Sequence, residues 1–229
     1  MKDLKKLQKN LGVDFKDADL LKSALIHRSY LNENKNFPLD HNERLEFLGD
    51  AVLELITTEY LYNNFPNPEG ELTNWRASLV NAKMLAEIAH SLEIEDYLHL
   101  SKGEAQDNNL KARNYILANA LEALIGAIFL DKGLEEAKKF ISRNILSKLP
   151  FILENQLYVD PKSKFQEKSQ EIYNITPIYK VMEESGPDHN KFFKVGVYLN
   201  EEFVAAGTGS SKQEAQVAAA DNALTEKGW

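Results

Sequence analysis

The chain has 229 residues, 43% of them hydrophobic and 27% charged, enough for one large or two modest domains, each with its own core. It contains no cysteine, which excludes disulfides, thiolate chemistry and cysteine-based zinc sites, and its five histidines show no paired metal spacing. A net charge of −8 weighs, taken alone, against nucleic acid as a partner.

The first stretch, MKDLKKLQKN, is charged and lacks an apolar segment, so no secretory signal is expected and a soluble, cytoplasmic protein is. From there to about residue 155 the apolar period is helical almost throughout. LKKLQKNLGV, DADLLKSALIHRSYL, ERLEFLGDAVLELITTEYLYNNF, NAKMLAEIAHSL, NYILANALEALIGAIFL and GLEEAKKFISRNILSKL predict helices, with PNPEGE and SKGEAQDNN as turn-forming segments between them. The longest apolar run, ILANALEALIGAIFL, is a turn or more too short to cross a bilayer and contains a glutamate, so no membrane span is expected. Around LPFILENQLYVDPKS the pattern changes. A helix (KSKFQEKSQEIY), three strand-like runs (PIYKVMEES, KFFKVGVYLN, EFVAAGTG) and a final helix (KQEAQVAAADNALTEK) follow. The fold class is therefore an all-α domain over residues 1–155 followed by a small α-β-β-β-α domain over residues 156–229.

Within the all-α part, HNERLEFLGD (residues 41–50) raises a question of charge. At about 100° per residue, Glu43, Glu46 and Asp50 fall in a sector roughly 60° wide, opposite Leu45, Leu48, Val52, Leu55 and Ile56. Phe47 sits beside the acids, on the face that should be wet. Such a stripe is ordinarily a solvated face. Here it lacks screening: between Glu43 and Glu71 the only cation is Arg44, one step from Glu43, and adjacent residues on a helix do not face each other. The stripe needs a counterion from elsewhere.

YILANALEALIGAIFL (residues 115–130) has only two polar side chains, Asn119 and Glu122, which share a face with Gly126. A carboxylate in so apolar a helix is expensive to bury unless paired. Either a backbone group or an arginine satisfies it, or this helix packs through Gly126 against the 43–56 helix. The second arrangement sets Glu122 and Asn119 opposite Glu46 and Asp50. Carboxylate and amide oxygens without histidine or cysteine suit a hard cation, Mg²⁺ or Mn²⁺, and with it phosphoryl chemistry.

HNERLEFLGDAVLE, EGELTNWRASLVN, LSKGE and ILANALEALIGAIFLD, in this order, resemble the motifs of the ribonuclease III family, and the following α-β-β-β-α segment resembles the double-stranded-RNA-binding domain of its bacterial members. The resemblance implies a homodimeric, Mg²⁺-dependent endoribonuclease that cuts double-stranded RNA to 5′-phosphate and 3′-hydroxyl ends. It implies that Glu46, Asp50 and Glu122 hold the ion, with Asp50 and Glu122 most critical for hydrolysis and Glu43 beside the scissile phosphate. Glu69 and Glu104 would be accessory positions near the RNA, and Phe47 would enter a cavity of a second subunit. Asn119 departs from the family, which usually has Asp there. An amide oxygen can ligate Mg²⁺ but brings no charge, so either a weaker metal site or an inactive, merely RNA-binding chain follows.

In the C-terminal module, Ala215, Ala218, Ala219, Ala220 and Ala223 allow the last helix to pack closely on a sheet, and Ser211 with Glu214 has capping-box spacing. The free N–H groups of that helix start, with Lys212, make an anion site suited to phosphate. Gln166 and Gln170 share one face of the first helix, and His189 lies in the GPDHNKF loop between strands. Together these resemble the three contact regions of a double-stranded-RNA-binding domain: minor-groove edges for the first helix and the loop, phosphates for Lys212. Gln213 and Gln216 stand where many such domains have basic residues. Residues 1–155 carry 19 Lys+Arg against 24 Asp+Glu and residues 156–229 carry 8 against 11, so RNA binding must rest on local contacts, metal neutralisation and dimerisation.

Overall fold

The computed structural model describes residues 3–107, 109–187 and 191–229, in two compact units, Met1–Tyr158 and Val159–Trp229. The junction read from the sequence stands at residue 155.

The first unit is helical: α1 Leu4–Leu11, α2 Ala18–Ala24, α3 Arg28–Glu33, α4 Glu43–Asn64, α5 Glu69–Val80, α6 Ala82–Ser91, α7 Lys102–Gln106, α8 Leu110–Lys132, α9 Leu134–Asn144 and α10 Leu149–Glu154. Short polar side chains start several of them by accepting the free N–H groups of the first turn. Asp17 does so for α2, His27 for α3, Asn81 for α6 and Asn109 for α8. Gly12, at φ 62, closes α1 in the left-handed conformation that a side chain would strain.

Four expectations change. The run 17–31 is two helices, because residues 25–27 leave the helix to exchange backbone hydrogen bonds with His99 (His99 N to Leu25 O 2.9 Å, His27 N to His99 O 3.0 Å). The turn-forming segments PNPEGE and SKGEAQDNN each hold a helix start, at Glu69 and Lys102, where acidic residues in the first turn complement the helix dipole. Leu55, placed in the buried stripe of α4, is 59% exposed, while Leu53 is fully buried. The apolar run taken as too short for a membrane belongs to a 23-residue helix that is long and apolar enough to cross one. That helix is instead the centre of the unit: Leu117, Leu121, Leu124, Ile125 and Ile128 have no exposed surface and are packed by α2, α4, α6 and α9.

The second unit runs α11 (Pro161–Tyr173), β1 (Ile178–Ser185), β2 (Phe192–Leu199), β3 (Glu202–Gly209) and α12 (Lys212–Lys227). The strands form an antiparallel sheet in the order β1-β2-β3. The side chains of β2 alternate, with Phe193, Val195, Val197 and Leu199 buried on the face that the helices cover; Gly196 between them is buried too. α12 lies against β3 and β2, and α11 against α12. The alanines set that distance: a Cβ on Gly207 of β3 would fall 2.1 Å from the backbone nitrogen of Ala219, so sheet and helix meet backbone to backbone.

Candidate active site

In the first unit α4 and α8 cross backbone to backbone. A Cβ on Gly49 would lie 1.7 Å from the carbonyl oxygen of Glu122, and one on Gly126 would lie 2.2 Å from that of Leu45. Each glycine is the floor on which the other helix rests. Gly126 was legible in the sequence as a small residue on the polar face of α8; Gly49 was passed over. Its signal was its place in mid-helix, where glycine costs about 1 kcal/mol against alanine and so needs a packing reason.

The crossing sets Glu46 and Asp50 of α4 against Asn119 and Glu122 of α8. The Asn119 amide faces the Glu46 carboxylate and favours its charged form. Burial, then Glu43 and Asp50, raise the Glu46 carboxyl above its ordinary value, against the pull of that amide. Burial also raises Glu122, with Asp50, Glu46 and Glu54 adding to it, up to about 7. Among the described residues, no Lys, Arg or His lies within ion-pair distance of Glu46, Asp50 or Glu122. Nor do any three His, Cys, Asp or Glu side chains among the described residues stand close enough together to hold a metal ion.

Glu43 corrects the sequence reading. It is not without partners: Arg28, from α3, approaches it at 3.4 Å and His41 at 3.8 Å. Periodicity along α4 could not show this, because Arg28 arrives from a different helix. Glu54, one turn beyond Asp50, is paired with Arg76 of α5 at 2.9 Å, and Arg76 also donates to the Thr58 hydroxyl at 2.9 Å. Arg76 is a second residue the sequence reading missed.

Glu104 sits in the first turn of α7, its N–H accepted by the Ser101 hydroxyl. With Glu43 it flanks the half-buried His27, whose ring is held below its ordinary pKa first by burial, with Glu104 pulling the other way. Glu69 is apart from this group. It opens α5 on the wall of a cleft of about 470 Å³ shared with Tyr62, Leu72 and Arg76. Phe47 is 81% exposed and stands on the rim of a cleft of about 740 Å³ walled by Leu20, Leu45, Leu48 and Leu130.

In the second unit, Gln166 and Gln170 are both exposed on α11, and the Gln170 amide donates to Thr176 at 2.6 Å. Lys212 lies 3.6 Å from Glu184 and over the ring of Phe193. Ser211 caps α12, but Glu214 completes the cap through Ser210 (backbone N 3.0 Å) and not through Ser211. Gln216 accepts from Lys162 at 2.8 Å. His189 lies outside the described residues.

Residues 17–149 match the family model "Ribonuclease-III-like" and residues 161–227 match "Double-stranded RNA binding motif". A helical unit with opposed acids, followed by such a motif, defines a double-strand-specific endoribonuclease. The chain is 45% identical over 225 residues to ribonuclease 3 of Nitratiruptor sp., covering 98% of this chain and 96% of the relative. It is 43% identical to ribonuclease 3 of Oceanobacillus iheyensis, with 97% of each chain covered. A solved nuclease domain of ribonuclease III from Campylobacter jejuni superposes with a TM-score of 0.57 at 43% identity, covering 65% of this chain and 99% of that one. The chain belongs to the ribonuclease III family. Dependence on a divalent metal ion comes with that membership.

Proposed function

We propose that the chain hydrolyses double-stranded RNA with Mg²⁺ (Mn²⁺ substituting), through Glu46, Asp50, Asn119 and Glu122, to leave 5′-phosphate and 3′-hydroxyl ends. The observation that carries this reading is the pair of glutamates at the Gly49–Gly126 crossing. Both carboxyls are raised by burial and by neighbouring carboxylates, Glu43 and Asp50 for Glu46 and Asp50, Glu46 and Glu54 for Glu122, without a cationic side chain in reach. Oxygen donors of this kind fit a hard divalent cation, whose charge would relieve both. When bound, the ion lowers the pKa of a water and offsets charge on the leaving oxygen. The chain's own contribution is orientation. The glycine crossing fixes the spacing of the donors, and the Asn119 amide favours the charged form of Glu46. Arg76 pairs with Glu54, whose charge acts on Glu122.

Glu43 then lies beside the scissile phosphate, its charge tempered by Arg28, with Glu104 and Glu69 near the duplex. Gln166, Gln170, His189 and Lys212 contact RNA from the second domain, taken as residues 156–229. The enzyme works as a homodimer in which Phe47 of each subunit fills the other's cleft; in the nuclease domain from Campylobacter jejuni a structurally flexible region is involved in dimer formation. The substrates are rRNA precursors and structured mRNA in the cytoplasm. Incubation with a long perfect RNA duplex tests the reading: cleavage with Mg²⁺ and none with EDTA is expected, and Mg²⁺-independent products would refute it.

A second reading has its own observation. Asn119 faces Glu46 with an amide that brings no charge, so the chain would bind duplex without cutting it. Retention of intact RNA at every Mg²⁺ concentration distinguishes that outcome.

A further inference from the structure

The sheet of the second unit has one covered face and one open face. Strand register defines the open one: Ile178 pairs with Tyr198, Lys180 with Gly196, Glu183 with Lys194, Ala206 with Gly196 and Phe203 with Tyr198. Directly paired residues project to the same side. An irregularity in each outer strand alters what this face carries. In β1 the register shifts between Val181 and Glu183, so Met182 is an extra residue beside Gly196. In β3 a similar shift brings Phe203, and not Val204, opposite Tyr198. Bulges re-aim side chains in this way.

The result is an apolar cluster on the one position that has no side chain. A Cβ on Gly196 would lie 2.9 Å from Met182 Sδ, 3.0 Å from the Tyr198 ring and 3.3 Å from the Phe203 ring. Tyr198 and Phe203 meet edge to face, with centroids 5.5 Å apart. Although both cover Gly196, Met182 and Phe203 keep 50% and 49% of their surface in water. Cations border the cluster. The Lys180 ammonium stands 4.9 Å from the Tyr198 centroid, and Lys194 belongs to the same face by register. The register puts one acid there among the described residues, Glu183. A unit with 8 Lys+Arg and 11 Asp+Glu over residues 159–229 thus turns a locally basic, aromatic face outward.

Aromatic rings and ammonium groups on the open face of an antiparallel sheet match the chemistry of unpaired nucleotides: π-faces for bases, cations for phosphates. A duplex cannot use such a face, because its bases are stacked on one another. We propose that the open sheet face around Gly196 binds single-stranded RNA adjoining a duplex, with Phe203 and Tyr198 stacking on bases and Lys180 on the backbone. This goes beyond duplex cleavage and leaves the α4–α8 site uninvolved.

The test measures binding of the full-length chain in EDTA, by fluorescence anisotropy, to three RNAs. These are a blunt duplex, the same duplex with an unpaired pyrimidine tail, and the same with an abasic tail. The base-bearing tail should raise affinity at least about five-fold, the lower end for one stacked base, and the abasic tail should not. Phe203→Ala should abolish the gain and Phe203→Trp should retain it, with blunt-duplex affinity unchanged in both. If Phe203→Ala also weakens the blunt duplex, Lys180→Gln decides, since it leaves the apolar cluster intact and should still reduce the gain. No gain from the tail in the native chain, an equal gain from the abasic tail, or a full gain in both Phe203→Ala and Lys180→Gln overturns the proposal. So does a lowered sedimentation coefficient in Phe203→Ala, which would assign the face to a second copy. Blunt-duplex binding reports separately on the RNA-binding role of the domain.

Discussion

At the scale of single residues, Glu122 is the most informative group. Its carboxyl is held near 7, against 4.5 for an exposed glutamate. Between those values the folded protein keeps a proton that the unfolded chain has released. Stability without metal therefore declines as pH rises through that window. In EDTA, the melting temperature should fall from pH 5 to pH 8, Glu122→Gln should flatten the fall, and Mg²⁺ at pH 8 should recover it in the native chain only. A slope unchanged in the variant would place the titration elsewhere. The same substitution should abolish cleavage while duplex binding persists, because a site already diluted by Asn119 loses a further charge. Asn119→Asp is expected to act in the opposite sense. A full charge a few ångströms from the ion is worth roughly 1–3 kcal/mol at an effective dielectric near 20, after desolvation. Half-maximal cleavage should then need about five- to a hundred-fold less Mg²⁺. An unchanged metal requirement would put position 119 outside the set of ligands.

At the scale of helices, what matters is how closely α4 and α8 approach. Their polar positions can face each other only because Gly49 and Gly126 carry nothing between the backbones. Gly49→Ala would gain helix propensity in isolation, yet its methyl would meet the Glu122 carbonyl and force the helices apart. A loss of roughly 1–3 kcal/mol or more is expected from such overpacking, with cleavage reduced further because the donors separate. Gly70 of α5 is the control. Nothing lies within 4 Å of a Cβ there, so Gly70→Ala should be neutral or stabilising by up to about 1 kcal/mol. Equal melting temperatures for the two variants would deny the crossing its role. Most helices were legible from apolar period, since burying one stripe of a helix imposes it. The failures were local: Leu55 satisfies the period of α4 but emerges to solvent, because a long helix is not covered along its whole length.

At the scale of the whole molecule, the exposed ring of Phe47 and the adjacent apolar cleft point to self-association. A buried aromatic anchor commonly carries about 2 kcal/mol or more of interface energy, so Phe47→Ala should weaken a dimer at least about thirty-fold. Sedimentation equilibrium measures this directly. A native chain that stays monomeric at micromolar concentration removes the basis of the claim. The net charge of −8 belongs to this scale as well. Affinity for duplex should depend on local contacts and on bound cations more than on long-range attraction.

Order along the chain was enough for the two architectures, and for oxygen-bearing side chains without histidine or cysteine on the facing stretches of α4 and α8. Apolar period, capping residues and the alternation of β2 depend on neighbours within a few residues, and those are written in order along the chain. So is the oxygen-only donor set proposed at Glu46, Asp50, Asn119 and Glu122. Tertiary structure alone decided which acids are left without a cation. Arg28 reaches Glu43 from α3, and Arg76 reaches Glu54 from α5, over distances that no helical wheel represents. It also decided that Glu122 titrates near 7, because desolvation and the field of three other carboxylates act through space. The open sheet face was equally out of reach: two register shifts gather Met182, Tyr198 and Phe203 over Gly196, and a shift in pairing is a property of strands together, not of any one of them.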